Sequence, residues 1–286
     1  MKIIVTGSLG NISKPLVAKL VTAGHAVGVI SSKQEKAIQI ERLGATPLIG
    51  SVADTGFVSK SFEGADAVYT MVPPDFLVPD YSAFSDQVIE NYVKAIKRNR
   101  INYVVNLSSI GAALAGKAPL SNYYNLETRL NELNGLNIVQ LRPGMFYTNF
   151  YGQVNLILSQ GIMGHNIPGN ANMIMTHPHD IADTAFAYLD NLQFKGHTIK
   201  HIISDVVCGD EAAEKIGVLI GNPNVKWVQI PDDQLLAGLM QNGFSKDAAL
   251  TNVIDMGIAI REGLLDIYYS ENKLTVTAER KFIPFM

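Results

Sequence analysis

Four places in the sequence hold residues whose types and spacing could do chemistry. The first is Val5-Thr6-Gly7-Ser8-Leu9-Gly10-Asn11-Ile12-Ser13. A tight turn with bare backbone at Gly7 and Gly10 could approach a pyrophosphate, because neither residue has a Cβ to block it. A helix beginning at once would aim its free N–H groups and positive dipole end at the same phosphates. The spacing is Gly-x-x-Gly-x-x-Ser. Ser13 stands where a third glycine usually permits close helix–strand packing, and it is small enough for that. Gly7, Ser8, Leu9, Gly10, Asn11 and Ile12 are therefore expected to hold a dinucleotide. The plainer alternative is an ordinary glycine turn between a strand and a helix.

The second place is Ser31-Ser32-Lys33, about 20 residues further on, where an NAD enzyme usually carries an acid for the ribose 2′-hydroxyl. Here the first acid is Glu35. Two hydroxyls and an ammonium would accept a 2′-phosphate that a carboxylate would repel. NADP is the expected cofactor, with NAD as the alternative. The third place, His177-Pro178-His179-Asp180, has metal-ligand types but no further ligand in reach, so a helix start is expected and no metal. The fourth is Cys208, which has no assignable histidine partner and reads as a small buried residue.

The elements that would position these residues follow from short apolar runs and 3.6-residue periodicity. Strands are expected at 2–5, 26–30, 46–49, 67–71, 103–107 and 138–141. Helices are expected at 12–20, 33–43, 54–62, 84–100 and 124–133. Strict alternation of continuous apolar strands with helices implies a parallel sheet covered on both faces. The fold class is thus α/β, a Rossmann-type doubly wound parallel sheet with a small C-terminal α/β lobe. Ligands bind outside the carboxyl ends of such strands. Val52 would then lie near the adenine, and Met71, Val72 and Pro73 along the pyrophosphate and nicotinamide ribose. Leu107, Ser108 and Ser109 would flank the nicotinamide, with Pro143, Gly144, Met145 and Phe146 opposite.

Past Pro143 the alternation loosens. Helices are expected at 149–160, 179–189 and 210–220, a loop at 161–172, and strands at 198–203 and 225–230. Helices at 231–241 and 246–262 follow, and 270–286 shows no pattern. The expected division is a core over 1–148 and a substrate-covering lobe over 149–286, with some segments returning to the core.

Composition narrows the function. The 286 residues are 47% hydrophobic and 17% charged, with net charge −3 and a single cysteine. No basic block exists, which argues against nucleic acid or an anionic membrane surface as partner. No apolar run reaches the roughly 18–20 residues that span a bilayer. The lone cysteine fits a reducing compartment, and a cytoplasmic protein without a signal peptide is expected.

Several runs together resemble the NmrA-like branch of the atypical short-chain dehydrogenase/reductases. They are residues 5–10, Leu107-Ser108-Ser109-Ile110-Gly111-Ala112, Leu141-Arg142-Pro143-Gly144-Met145-Phe146 with Asn149-Phe150, His179-Asp180-Ile181-Ala182-Asp183, and Ile260-Arg261-Glu262-Gly263-Leu264. The resemblance implies a Rossmann core with a small lobe. It also implies either NADPH-dependent quinone or enone reduction or non-catalytic redox sensing. It places Tyr123 and Ser108 at the family's catalytic tyrosine and serine, with Tyr123 also near cofactor. Ser109 is the neighbouring candidate serine. The lysine expected four residues after the tyrosine is replaced by Glu127, a carboxylate that would raise the phenol pKa. Chemistry through a tyrosinate is therefore disfavoured, which also disfavours nucleotide-sugar epimerisation. The expected activity is that of an NADP-dependent oxidoreductase, with hydride passing from NADPH to a small, flat quinone- or enone-like acceptor. Pro73, Pro74, Phe76, Tyr123, Met145, Phe146 and Tyr147 would form an apolar slot for it. The alternative is an NADP(H)-sensing protein acting through a protein partner. A homodimer is compatible with either.

Overall fold

The computed structural model describes residues 1–114, 121–278 and 280–282. Part of the patternless tail, residue 279 and residues 283–286, lies outside them. The first half holds β1 (Lys2–Val5), β2 (Ala26–Ser31), β3 (Thr46–Ile49), β4 (Ala67–Thr70), β5 (Tyr103–Leu107) and β6 (Asn137–Pro143). Between them lie α1 (Ser13–Thr22), α2 (Ala37–Arg42), α3 (Thr55–Ser61), α4 (Tyr81–Asn99) and α5 (Ser121–Asn131). Next come β7 (Met145–Phe146), α6 (Val154–Gln160), β8 (Ile162–His165), β9 (Asn172–Thr176), α7 (Pro178–Leu189), β10 (His197–Ile202) and β11 (Asp205–Cys208). The chain ends in α8 (Gly209–Leu219), β12 (Lys226–Gln229), α9 (Asp232–Gln241), α10 (Lys246–Ala249), α11 (Asp255–Arg261) and α12 (Leu264–Glu271).

Seven strands form one parallel sheet in the order β3-β2-β1-β4-β5-β6-β10. This is the Rossmann-type α/β sheet expected from the alternation. Strand order reverses between β1 and β4, and the crevice above that point is where such sheets take a ligand. Side chains alternate across the sheet. Ile3, Val5, Val105 and Leu141 meet Leu16 and Leu20 of α1 and Ile181 and Ala185 of α7. Ile4, Val68, Val104 and Ile138 meet Val58, Tyr92, Leu126 and Leu130 on the other face. Edge strand β3 tolerates Pro47, which has no N–H to donate.

Local signals explain most boundaries. Asp54 caps α3 by accepting from the Phe57 N–H at 2.9 Å, and Asp80 caps α4 through Ala83 at 2.7 Å. Arg100 ends α4 in the left-handed region at φ 53°.

The second half departs from expectation in four places. Residues 161–172, expected as a loop, contain β8, which pairs in parallel with β12. Its Ile-Met-Gly-His sequence is too short and too glycine-marked to show a strand period. The helix expected over 149–160 is a 3₁₀ segment (Tyr147–Gln153) before it becomes α6. The helix expected over 246–262 is broken by a π turn at Leu250–Ile254. A further three-stranded sheet, β11-β9-β7, had no counterpart in the reading. Among the described residues no helix is long and apolar enough to cross a membrane.

Candidate functional site

The glycine turn leaves β1 and runs directly into α1. Gly7 has φ +89°, and a Cβ there would strike Met71 Sδ. Ser8 is also left-handed, at φ 55°, held by its N–H to the Ile30 carbonyl at 3.0 Å. Ser13 is buried and donates its hydroxyl to the Thr6 carbonyl at 3.2 Å. The third-glycine position is thus filled by a side chain that helps close helix on strand. Helix α1 has no side-chain cap and no acid in its first turn. The Lys14 and Leu16 N–H groups are taken by the Gly10 and Ile12 carbonyls and Pro15 has none, so the donors this helix end can offer an anion are those just ahead of Lys14, beside exposed Gly10 and Asn11. That donor set fits a pyrophosphate.

At the end of β2, Ser31 is buried. Its hydroxyl accepts from Ser8 Oγ at 2.9 Å and from the Lys33 N–H at 3.2 Å. Ser31 therefore braces the turn, while Ser32 and Lys33 are exposed beside it. At the end of β4, Met71 is fixed from both sides. Its N–H donates to Thr6 Oγ1 at 3.0 Å, and its carbonyl accepts from Tyr92 OH at 2.8 Å. The Val52 carbonyl is held by buried Asn91 at 2.9 Å.

A buried polar network lies at the ends of β5 and β6. Arg142 donates to Glu127 twice, from Nε at 2.9 Å and Nη2 at 2.6 Å. Ser108 Oγ donates to the same carboxylate at 2.5 Å. Arg142 Nη1 reaches Tyr268 OH at 3.3 Å, and His201 Nε2 meets that hydroxyl at 2.9 Å. Glu127, Arg142 and Ser108 are all buried. Ser109, one residue on, accepts from the Gly111 N–H at 3.1 Å. Tyr123 is half-buried, and burial raises its phenol pKa. The direction matches the sequence expectation but the cause differs: burial alone raises it, and Glu127 is paired with Arg142.

Gly144 lets β6 turn against β9. A Cβ there would strike the Ile174 carbonyl, and the Gly144 N–H donates to Thr176 Oγ1 at 2.9 Å. Half-buried Met145 and Phe146 follow as β7. Tyr147 leaves the expected slot. It turns into the lobe, 1% exposed, with OH donating to the Arg280 carbonyl and ring edge-on to Phe282. Phe76 stacks on Phe244 at 4.4 Å, and the Ser245 N–H donates to the Phe76 carbonyl at 2.8 Å, so a lobe segment sits on the β4–α4 loop.

Residues 7–191 match a family model described as NAD(P)H-binding. The chain belongs to the NAD(P)H-binding family. This agrees with the resemblance read from the sequence. Among curated relatives, an uncharacterized Schizosaccharomyces pombe protein is 34% identical over 79 residues, 27% of each chain. Photosystem II assembly factor Ycf39 of Synechocystis is 24% identical over 175 residues, 59% of this chain and 53% of that one. The matched stretches thus span about a quarter and about half of those relatives.

The solved structures show the fold of this NAD(P)H-binding chain. A nucleoside-diphosphate-sugar epimerase from Staphylococcus aureus superposes with TM-score 0.80 at 17% identity, covering 99% of this chain and 98% of that one. A quinone oxidoreductase of Escherichia coli in complex with NADPH gives 0.75 at 17%, covering 95% and 94%. Citrobacter triphenylmethane reductase with NADP(H) also gives 0.75 at 17%, covering 98% and 97%.

The NAD(P)H-binding fold brings Gly7, Met71, Ser108 and Pro143 to neighbouring strand ends, with Ser31 one strand further out. His177, His179 and Asp180 form a helix start: His177 Nδ1 accepts from the His179 N–H at 3.0 Å, and Asp180 pairs with Arg280. Cys208 ends β11, half-buried. The sequence reading missed Thr6, Tyr92, Asn91 and Arg142. Arg142 carried a signal, since a cation in the run Val139-Gln140-Leu141-Arg142 demands a buried acid.

Proposed function

We propose that this protein is an NADPH-dependent oxidoreductase that passes hydride to a small, flat, conjugated acceptor of quinone or enone type. The observation that carries the reading is Glu127. It stands where a lysine would activate Tyr123, and it is held by Arg142 and Ser108 instead. Tyr123 stays a neutral phenol, so a reaction that needs tyrosinate has no base. Hydride addition to a conjugated acceptor yields a delocalised anion and asks mainly for orientation in a dry cleft.

Bound NADPH would supply the hydride. The turn at Gly7–Gly10 and the N-terminus of α1 would hold its phosphates. Ser32 and Lys33 would hold the 2′-phosphate, with Ser31 bracing the turn behind them. Met71, Met145 and Phe146 would wall the nicotinamide. Ser108 has its proton engaged by Glu127, so it acts as a positioning residue. Ser109 accepts from Gly111, which leaves its own proton to donate to the acceptor or to the nicotinamide amide. The same unactivated tyrosine also suits a chain that binds NADP(H) without turnover and signals through a protein partner.

Following NADPH oxidation against a panel of quinones, enones, ketones and aldehydes tests the reading. Turnover is expected with the quinones or enones and not with simple ketones. Clear NADPH binding with no turnover on any acceptor would leave the sensor. Lys33→Ala is expected to weaken NADPH about tenfold, on the scale of one lost charge-assisted contact, and to leave NADH unchanged. Equal losses for both cofactors would remove Lys33 from the 2′-phosphate site.

A further inference from the structure

The β4–α4 loop, residues 71–80, borders the crevice where strand order reverses, and the lobe holds it there. The loop leaves β4 at Met71, whose side chain packs on Gly7, and enters α4 behind Asp80. Its first residue is fixed to the core through the Thr6 hydroxyl and the Tyr92 phenol. Its middle is fastened to the segment that joins α9 to α10. Phe244 lies flat on Phe76, with ring centroids 4.4 Å apart and planes 15° from parallel. The Ser245 N–H donates to the Phe76 carbonyl at 2.8 Å. Asp247 accepts from the Ser82 N–H, in the first turn of α4, at 3.0 Å. A ring stack, a backbone bond and a carboxylate on a helix end thus meet along one short stretch of the lobe.

Behind this fastening the hairpin is loosely packed. No residue of α9 is buried, although Leu235, Leu236 and Leu239 recur at helical spacing. Its base is anchored. Arg261 donates to Asp232 at 2.9 and 3.0 Å, and Asn166 donates to the same carboxylate at 2.8 Å. Two backbone breaks interrupt the hairpin. Gly243, between α9 and α10, has φ +93°, and α10 runs into the π turn at Leu250–Ile254. A segment with an anchored base, few buried contacts and breaks of this kind opens locally at low free-energy cost.

We propose that the α9–α10 hairpin is a latch on the cofactor cleft. It pivots on Asp232, fastens on Phe76 and Ser82, and must release for the nucleotide to enter and to leave. The latch grips the loop and not the cofactor. Loosening it therefore raises the open fraction of the empty and the loaded chain alike. The inference rests on the cofactor lying along the ends of β1 and β4, as proposed above, and is independent of the acceptor.

Stopped-flow mixing of the full chain with NADPH, followed by nicotinamide fluorescence, gives the association rate constant, and a chase with excess NADP gives the dissociation rate constant. Phe244→Leu keeps an apolar side chain and loses the stack. It is expected to raise both constants about fivefold and to leave the NADPH dissociation constant within about threefold. Asp247→Ala is expected to do the same, and Phe244→Trp to restore the native rates. Faster dissociation with unchanged association would overturn the inference, because a residue that only touches the cofactor or stiffens its seat acts on affinity. Unchanged rates in both variants would overturn it as well. Gly7→Ala separates the latch from the placement of the cofactor. Weakened binding there, with unmoved rates in the latch variants, refutes the latch and keeps the seat. Full affinity there refutes the seat, and the latch with it.

Discussion

Two substitutions separate holding the cofactor from using it. Tyr123→Phe is expected to keep quinone turnover within about threefold, because among the described residues no cation stands beside the phenol to activate it. A loss of a hundredfold or more, about 2.7 kcal/mol of transition-state stabilisation, would make Tyr123 the acid. Glu127→Ala acts differently. It strands a buried guanidinium and the Ser108 hydroxyl, and a loss of about 3–5 kcal/mol of stability is expected in urea unfolding. Replacing the pair together, Glu127→Leu with Arg142→Met, should recover most of that loss. If the double variant is as unstable as the single one, the carboxylate has a role beyond neutralising Arg142.

The elements set how tightly those residues are held. Gly7 is the joint between β1 and α1, and two independent constraints act on it: a positive φ and the Met71 side chain. Gly7→Ala should cost about 1–3 kcal/mol in unfolding and displace Met71, weakening NADPH binding in the same titration. Full affinity in a folded Gly7→Ala variant would show that the turn does not shape the phosphate seat. This joint was legible from sequence because its signals are local: a strand, two glycines and a helix period in thirteen residues. The Rossmann alternation was legible for the same reason. The Glu127–Arg142 contact was not, since it joins a helix and a strand 15 residues apart through side chains that the apolar periods ignore. Strand β8 was hidden because its partner β12 lies some 60 residues downstream, and a four-residue strand has no period of its own. Tyr147 was placed in the slot by its neighbours Met145 and Phe146. The chain turns there, and distant residues such as His177, Arg280 and Phe282 reveal where its ring goes.

At the scale of the molecule, pH should act through the lobe. Burial pushes His165 down to about 4, and its Nδ1 has no hydrogen-bond partner among the described residues. The folded chain therefore stays unprotonated there while the unfolded chain takes a proton near pH 6.5. Stability contributed by neutral His165 is complete above pH 6.5 and declines as pH falls toward 4. The expected loss between pH 7 and pH 5 is about 2 kcal/mol from this residue. Urea midpoints at the two pH values measure it, and His165→Asn should flatten the difference. An unchanged slope in that variant would assign the dependence to other groups.

The position of β10 has a consequence for the chain as it is made. β10 is the seventh strand of the main sheet and lies parallel to β6 along His197–Ile202. While a ribosome is still reading the codons between β6 and β10, the growing sheet ends in β6, whose outer N–H and carbonyl groups have no strand beside them. An open edge of that kind is a template for the wrong partner. A chain cut short before residue 197 should thus aggregate where the whole chain does not. For the same reason, a gene fragment ending after β6 would make a poor donor of this nucleotide-binding unit to another protein.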